Sequence, residues 1–144
     1  MSTLTLEQAQ TIVATALKFA RGQNYQPLAV AVLDARGVLK AFAAEDGTSL
    51  RREEIGRGKA HGALAFGIGS RALAKRATDQ PQFIAAVTHA VGGSLVPVPG
   101  GVLIRAAAGG PIIGAVGISG DVSNNDEAAA LAGIEAAGLH ADPG

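Results

Sequence analysis

Apolar residues recur along the chain with two spacings, one typical of helices and one typical of strands. From Thr5 onwards they follow a single helical stripe, and Thr5 and Gln8 have the spacing of a capping box. Gly22 is expected to end this first helix. The short apolar run over 28–33 predicts a buried strand, and residues 38–43 predict its hairpin partner, because a turn-forming Asp-Ala-Arg-Gly segment separates the two.

The middle of the chain has the pattern of three consecutive helices. Residues 49–66 predict a long helix that begins at Ser49 and is broken by the glycines at 67 and 69. A third helix follows over 70–78, with Ser70 as its cap. A fourth opens at residue 79 or 80 and has Pro81 in its first turn, where a missing N–H is harmless. Gly92 and Gly93 are expected to end it.

The last third of the chain combines strands with a closing helix. Residues 95–98 predict a short strand, placed at a sheet edge because Pro97 cannot donate to a ladder. Residues 102–107 and 112–119 predict a hairpin. The closing helix has Asp126 and Glu127 in its first turn, where the helix dipole favours negative charge, and Gly138 at its end. The tail over 139–144 is expected to be loose.

The predicted element order is α-β-β-α-α-α-β-β-β-α, which contains hairpins and no βαβ alternation. It predicts an α+β domain in which helices pack on a five-stranded antiparallel sheet. A length of 144 residues suits one domain, and neither a repeat nor a long linker divides residues 1–144.

Composition and charge exclude several classes of function. Twelve basic and 12 acidic residues cancel, so nothing favours nucleic acid or an anionic membrane as a partner. Aromatic residues are 3% of the chain, too few for base stacking, and the absence of Cys excludes disulfides, zinc–thiolate centres and thiol nucleophiles. The first ten residues lack a signal-peptide pattern and no apolar run approaches about 20 residues, so a cytoplasmic protein is expected.

Small side chains are unusually frequent, with 20 glycines among 144 residues and many alanines. Small residues bring backbones close together but bury little apolar area each. Self-association into a homo-oligomer is therefore expected to supply the missing burial.

The predicted second helix contains three glycines, at positions 56, 58 and 62. Each costs about 1 kcal/mol relative to alanine in a helix interior, so something must approach the backbone closely. Two interpretations stay open. Another helix or a second subunit packs there, or Gly58 and Gly62 contact the face of a flat ligand.

The same helix carries the side chains best suited to chemistry. Lys59 shares a face with Gly62, and Glu54 and His61 lie to either side. In one interpretation Lys59 and Glu54 form an ion pair on a solvated surface. In the other, Lys59 is a cation at a pocket edge and His61 is a base or metal ligand, because histidine titrates near neutrality and coordinates haem iron. His89, near the end of the fourth helix, is a second candidate, although it could equally stabilise that helix end.

Ser70 and Arg71 open the third helix. Residues 67–72 match G-x-G-x-x-A, but a dinucleotide fingerprint must follow a strand and this segment follows a helix. A helix N-terminus beside an arginine suits an anion such as a carboxylate. An ordinary helix cap is the alternative.

Several short motifs follow one another along the chain in a fixed order. They are Asp46-Gly47-Thr48-Ser49, Ile55, Lys59-Ala60, the segment 99–104, the segment 113–120, and Asn125-Asp126-Glu127. Together they resemble the GlcG/HbpS-like family, the haem-degrading domain, which is also similar to the C-terminal domain of PduO-type cobalamin adenosyltransferases. The resemblance implies a profilin-like α/β sandwich, homo-oligomers and, in some members, binding or degradation of haem.

Two functional hypotheses follow, beside a third in which the protein is a structural or accessory module whose glycines serve only assembly. The leading one is a homo-oligomer that binds haem or a related tetrapyrrole and could degrade it. The helical glycines would lie against the ring, Lys59 and Arg71 would meet its carboxylates, and His61 or His89 would be the axial ligand. The alternative is a cofactor-free isomerase, lyase or hydratase acting on a small carbonyl or carboxylate compound. There Glu54, Lys59 or His61 would be the acid or base and Arg71 would hold the carboxylate.

Overall fold

The computed structural model describes residues 3–144, so the first two residues of the predicted domain lie outside the described part. Its helices are α1 (Leu6–Gly22), α2 (Arg52–Phe66), α3 (Ser70–Asp79), α4 (Pro81–Ala90) and α5 (Ser123–Ala136). Its strands are β1 (Ala29–Asp34), β2 (Leu39–Ala44), β3 (Gly101–Arg105), β4 (Ile112–Ser119) and β5 (His140–Asp142). No helix within 3–144 is both long enough and apolar enough to pass through a bilayer.

The five strands form one open sheet in the order β2-β1-β4-β3-β5, and every neighbouring pair is antiparallel. Helices α1 and α5 cover one face, and α2 covers the other. Alternation along β1 assigns its side chains to these layers: Val30 and Val32 face α1 and α5, and Leu33 faces α2. The predicted α+β fold with a five-stranded antiparallel sheet is confirmed.

The first helix follows its sequence pattern closely. Thr5 and Gln8 make both hydrogen bonds of the predicted capping box. The buried stripe consists of Ala9, Ile12, Ala16 and Ala20. Three of these four are alanines, so α1 lies close to the sheet and to α5.

The fifth strand is not the one predicted from the sequence. The prediction of a strand over 95–98 is wrong: this segment crosses α2, where the Val96 N–H donates to the Gly58 carbonyl at 3.2 Å. The prediction of a loose tail is also wrong, because residues 140–142 pair with β3 as β5. Asp142 adds an ion pair with Arg105 at 3.0 Å. The observed element order is therefore α-β-β-α-α-α-β-β-α-β.

Candidate functional site

The glycine-bearing face of α2 is covered by the chain itself. A Cβ added at Gly58 would lie 2.7 Å from Cγ2 of Val96, and one added at Gly62 would lie 3.0 Å from Cγ of Leu95. These glycines therefore make room for the segment that follows α4. The prediction that a flat ring lies against them needs correction, because Leu95 and Val96 already occupy that position.

Lys59 is a buried residue of the core and does not line a pocket edge. Its side chain is 3% exposed, and its Nζ donates to the Ile118 carbonyl at 2.8 Å and to Oδ2 of Asp126 at 3.1 Å. The expected partner, Glu54, instead pairs with Arg51 at 2.6 Å on the surface. The prediction of a Lys59–Glu54 pair is therefore wrong, and Lys59 cannot reach an external carboxylate.

Burial and charge act in opposite directions on this pair. Burial lowers the pKa of Lys59, and the charge of Asp126 opposes that shift. Burial raises the pKa of Asp126, which Lys59 opposes in turn. The second carboxylate oxygen of Asp126 accepts the Asp121 N–H at 2.9 Å. The pair thus ties α2 to the start of α5 and the end of β4.

The N-terminus of α3 is also occupied from within the chain. The Ser70 hydroxyl is buried and accepts the Gly101 N–H at 2.7 Å. The Arg71 N–H donates to the Pro143 carbonyl at 3.2 Å, and its guanidinium pairs with Glu127 at 2.9 Å. The predicted anion site at Ser70 and Arg71 needs correction, since internal oxygens already accept its donors.

His61, in contrast to Lys59, has a reactive atom that is available. It lies two residues after Lys59, so its side chain points about 200° away around the helix, towards the outer side. Its Nδ1 lies 2.7 Å from the Ser94 carbonyl oxygen. A carbonyl only accepts, so in the neutral imidazole Nδ1 carries the proton and Nε2 keeps a free lone pair. Among residues 3–144 Nε2 has no hydrogen-bond partner, and it reaches solvent.

The surroundings of His61 come from two elements. A Cβ added at Gly37 would lie 3.6 Å from Cδ2 of His61, so the β1–β2 turn approaches the ring edge that carries Nε2. Arg57 lies one turn earlier on α2, and its half-exposed guanidinium pairs with Glu53. Arg57 Nε is buried without a hydrogen-bond partner in the described structure. The sequence analysis missed Arg57, although its four-residue spacing from His61 places both on one face.

The other histidines lie elsewhere. His89 is exposed in the last turn of α4, and His140 is exposed on β5. Within residues 3–144, no group of three or more acidic or histidine side chains could hold a metal ion.

Comparison with known protein families identifies the family of this chain. Residues 4–135 match the family described as "Haem degrading protein HbpS-like". The chain belongs to this family. The resemblance drawn from the motifs is thereby confirmed over nearly the whole chain.

Several solved structures have the same fold as this chain. A crystal structure of a PduOC:heme complex has a TM-score of 0.85 at 23% identity, covering 96% of this chain and 98% of that one. Klebsiella pneumoniae protein ORFY gives 0.83 at 23% identity, covering 96% and 92%. HbpS itself gives 0.76 at 28% identity, covering 92% and 89%. No curated protein matches the sequence significantly.

Proposed function

We propose that this protein binds haem, or a closely related tetrapyrrole, with His61 as the axial ligand. The observation that carries the proposal is the 2.7 Å hydrogen bond between His61 Nδ1 and the Ser94 carbonyl. Histidines that ligate metals commonly donate their other N–H to such an acceptor, which orients the ring and raises the basicity of the ligating nitrogen. Membership of a family described by haem degradation, and the similarity to a haem-complexed protein, support the same ligand.

Arg57 supplies the charge that this site needs. Haem carries two propionates, and a guanidinium forms strong, often bidentate bonds with carboxylates. Arg57 shares the His61 face of α2, is half-exposed, and spends part of its donor capacity on Glu53. In the proposed site Arg57 binds a propionate, which is the role that the sequence analysis assigned to Lys59 and Arg71.

Exposed apolar residues follow Gly37 directly in the chain. The β1–β2 turn approaches His61 at Gly37, and the next residues, Val38 and Leu39, are exposed. Exposed aliphatic side chains of this kind become favourable once a flat apolar ring covers them.

Self-association belongs to the same proposal. The His61 side chain is only half-buried in one chain, so a ring bound there keeps one side in water. A second copy would cover that side, in agreement with the many small residues and with the homo-oligomers that the family resemblance implies. A cytoplasmic location stays a prediction.

Haemin titration followed by the Soret band tests the proposed ligand. Wild type should shift the band with 1:1 stoichiometry, and His61→Ala should weaken binding at least about tenfold because no other side chain replaces the axial ligand. His89→Ala is the matched control and should bind like wild type. An unchanged titration in His61→Ala would contradict the proposed site.

The same haem-loaded sample also tests whether the protein degrades haem. Loss of the Soret band after adding ascorbate in air would demonstrate it, whereas a stable band would limit the protein to binding. The acid–base alternative gains no support from the geometry. Lys59 faces the interior and Glu54 is paired with Arg51, so neither converges with His61 on an exposed cleft.

A further inference from the structure

The connecting segment, residues 91–98, runs from α4 to β3 and crosses α2 on the way. Ser94 is the residue of this segment that meets His61, through the 2.7 Å contact between its carbonyl oxygen and Nδ1. Because the acceptor is a main-chain atom, the contact depends on the path of the backbone and not on the side chain at position 94.

The two residues after Ser94 are anchored on α2 at glycines. The Val96 N–H donates to the Gly58 carbonyl at 3.2 Å, and Cγ2 of Val96 fills the space that a side chain at Gly58 would need. Leu95 is buried, and its Cα would lie 3.4 Å from a Cβ added at Gly62. A side chain at both positions would therefore push the connecting segment away from α2.

Ser94 is held from the other side as well. The Gly93 N–H donates to the Thr88 carbonyl at 2.8 Å, so α4 anchors the start of the segment. Gly92 and Gly93 have φ angles of 81° and 88°, a backbone conformation that other residues rarely adopt. Ser94 therefore lies between a glycine turn held by α4 and two residues anchored on α2.

We propose that Gly58 and Gly62 are positioning residues for His61. They let the connecting segment lie against α2 and thereby hold the Ser94 carbonyl at Nδ1. This contact sets the tautomer of the neutral imidazole in which Nε2 is free to bind iron. The inference rests on the haem site proposed above and extends that site to residues that never touch the ring. Glycines that weaken the helix then serve the site through the residue that ligates the ring.

The tautomer of His61 in the haem-free protein tests the proposal directly. A long-range proton–nitrogen NMR correlation at alkaline pH, where imidazoles are neutral, distinguishes Nδ1–H from Nε2–H, and His61→Ala identifies the signal. Wild type should show the Nδ1–H form. Gly58→Ala should reduce it, and Gly58→Ala/Gly62→Ala should abolish the preference because both spaces are then filled. Circular dichroism checks that each variant is folded.

Two further variants separate positioning from packing. Gly56→Ala places a Cβ 3.0 Å from the Gly117 carbonyl, on the sheet side of α2, so it should lower the melting temperature and keep the Nδ1–H form. Gly58→Ala/Val96→Ala lacks the colliding Cγ2, so the Nδ1–H form should return. An Nδ1–H form retained in Gly58→Ala/Gly62→Ala, or lost equally in Gly56→Ala, would overturn the positioning role.

Haemin titration connects the tautomer to the ligand. Gly58→Ala should weaken haem binding about tenfold, at the low end of the range for residues that orient a metal ligand, and Gly58→Ala/Val96→Ala should recover it. An unchanged affinity despite a lost Nδ1–H form would overturn the part that the glycines play in haem binding. If His61→Ala binds haem like wild type while the glycine variants still change the tautomer, the proposed ligand is wrong and the positioning of His61 stands.

Discussion

Replacing Lys59 by methionine is the sharpest test of how this fold is held together. Methionine matches the length of the lysine stem but removes the charge and both hydrogen bonds of Nζ, to Ile118 and Asp126. The Asp126 carboxylate, 1% exposed, is left with the Asp121 N–H as its hydrogen-bond donor. Breaking a buried pair in this way costs about 3–5 kcal/mol of unfolding free energy, because one charge stays buried without compensation.

The double variant Lys59→Met/Asp126→Asn separates charge from packing. Asparagine can still accept the Asp121 N–H, and no uncompensated charge remains, so the loss should be about 1–2 kcal/mol. Each single variant should therefore cost more than the double variant. Urea unfolding at pH 7, followed by far-ultraviolet circular dichroism, measures all four proteins of this cycle.

The pH dependence of the single variant supplies the decisive control. Burial raises the pKa of Asp126 above 3.8, its ordinary value, and in Lys59→Met no ammonium opposes that shift. The folded state then binds a proton that the unfolded state has released, so stability falls as pH rises through this window and returns as pH falls towards it. The deficit of Lys59→Met should shrink between pH 7 and about 4. A deficit that does not change with pH, together with additive losses in the double variant, would refute this account of the pair.

Two further predictions concern acid stability and glycine packing. In the folded protein the pKa of Asp121 lies below 3.8, its ordinary value, because its carboxylate accepts the Gln26 N–H and further hydrogen bonds. The ionised carboxylate therefore stabilises the fold fully above pH 3.8, and this stabilisation is lost as pH falls through the pKa of the folded state. Asp121→Asn should lose stability at pH 6 and approach wild type below pH 3 in urea titrations, and a constant difference would contradict this assignment. Gly117→Ala should unfold several degrees earlier than wild type in a thermal melt, because its Cβ would collide with the Gly56 carbonyl. Gly22→Ala has no atom within 4 Å of the new Cβ and should melt at or slightly above wild type, and equal effects would contradict the packing argument.

Local signals in the sequence predicted most of the fold. The capping box at Thr5, the hairpin turn after β1 and the glycine after α2 are decided by residues within a few positions, and each appears where expected. The fifth strand was misassigned because its pairing is decided at long range. Residues 140–142 bond to β3, more than thirty residues earlier. No local pattern marks such a short, polar strand.

Interpretation of the candidate site depended on which side of α2 each residue occupies. Sequence spacing placed Lys59 and Gly62 on one face, but it could not show that residues 95–96 cover this face. Nor could spacing pair Lys59 with Asp126 across 67 positions. His61 was singled out for its chemistry, and only the structure shows that Ser94 holds its Nδ1 proton.

The family motifs lie at the internal junctions of the fold. Lys59 and Asp126 come from two separate motifs and bond to one another, and a third motif supplies the Ile118 carbonyl that completes the contact. Gly117 belongs to the same motif as Ile118, and because it has no side chain the backbone of α2 can lie directly against the sheet. The motifs through which the sequence resembles the family thus assemble the core, while His61, the proposed axial ligand, lies outside them.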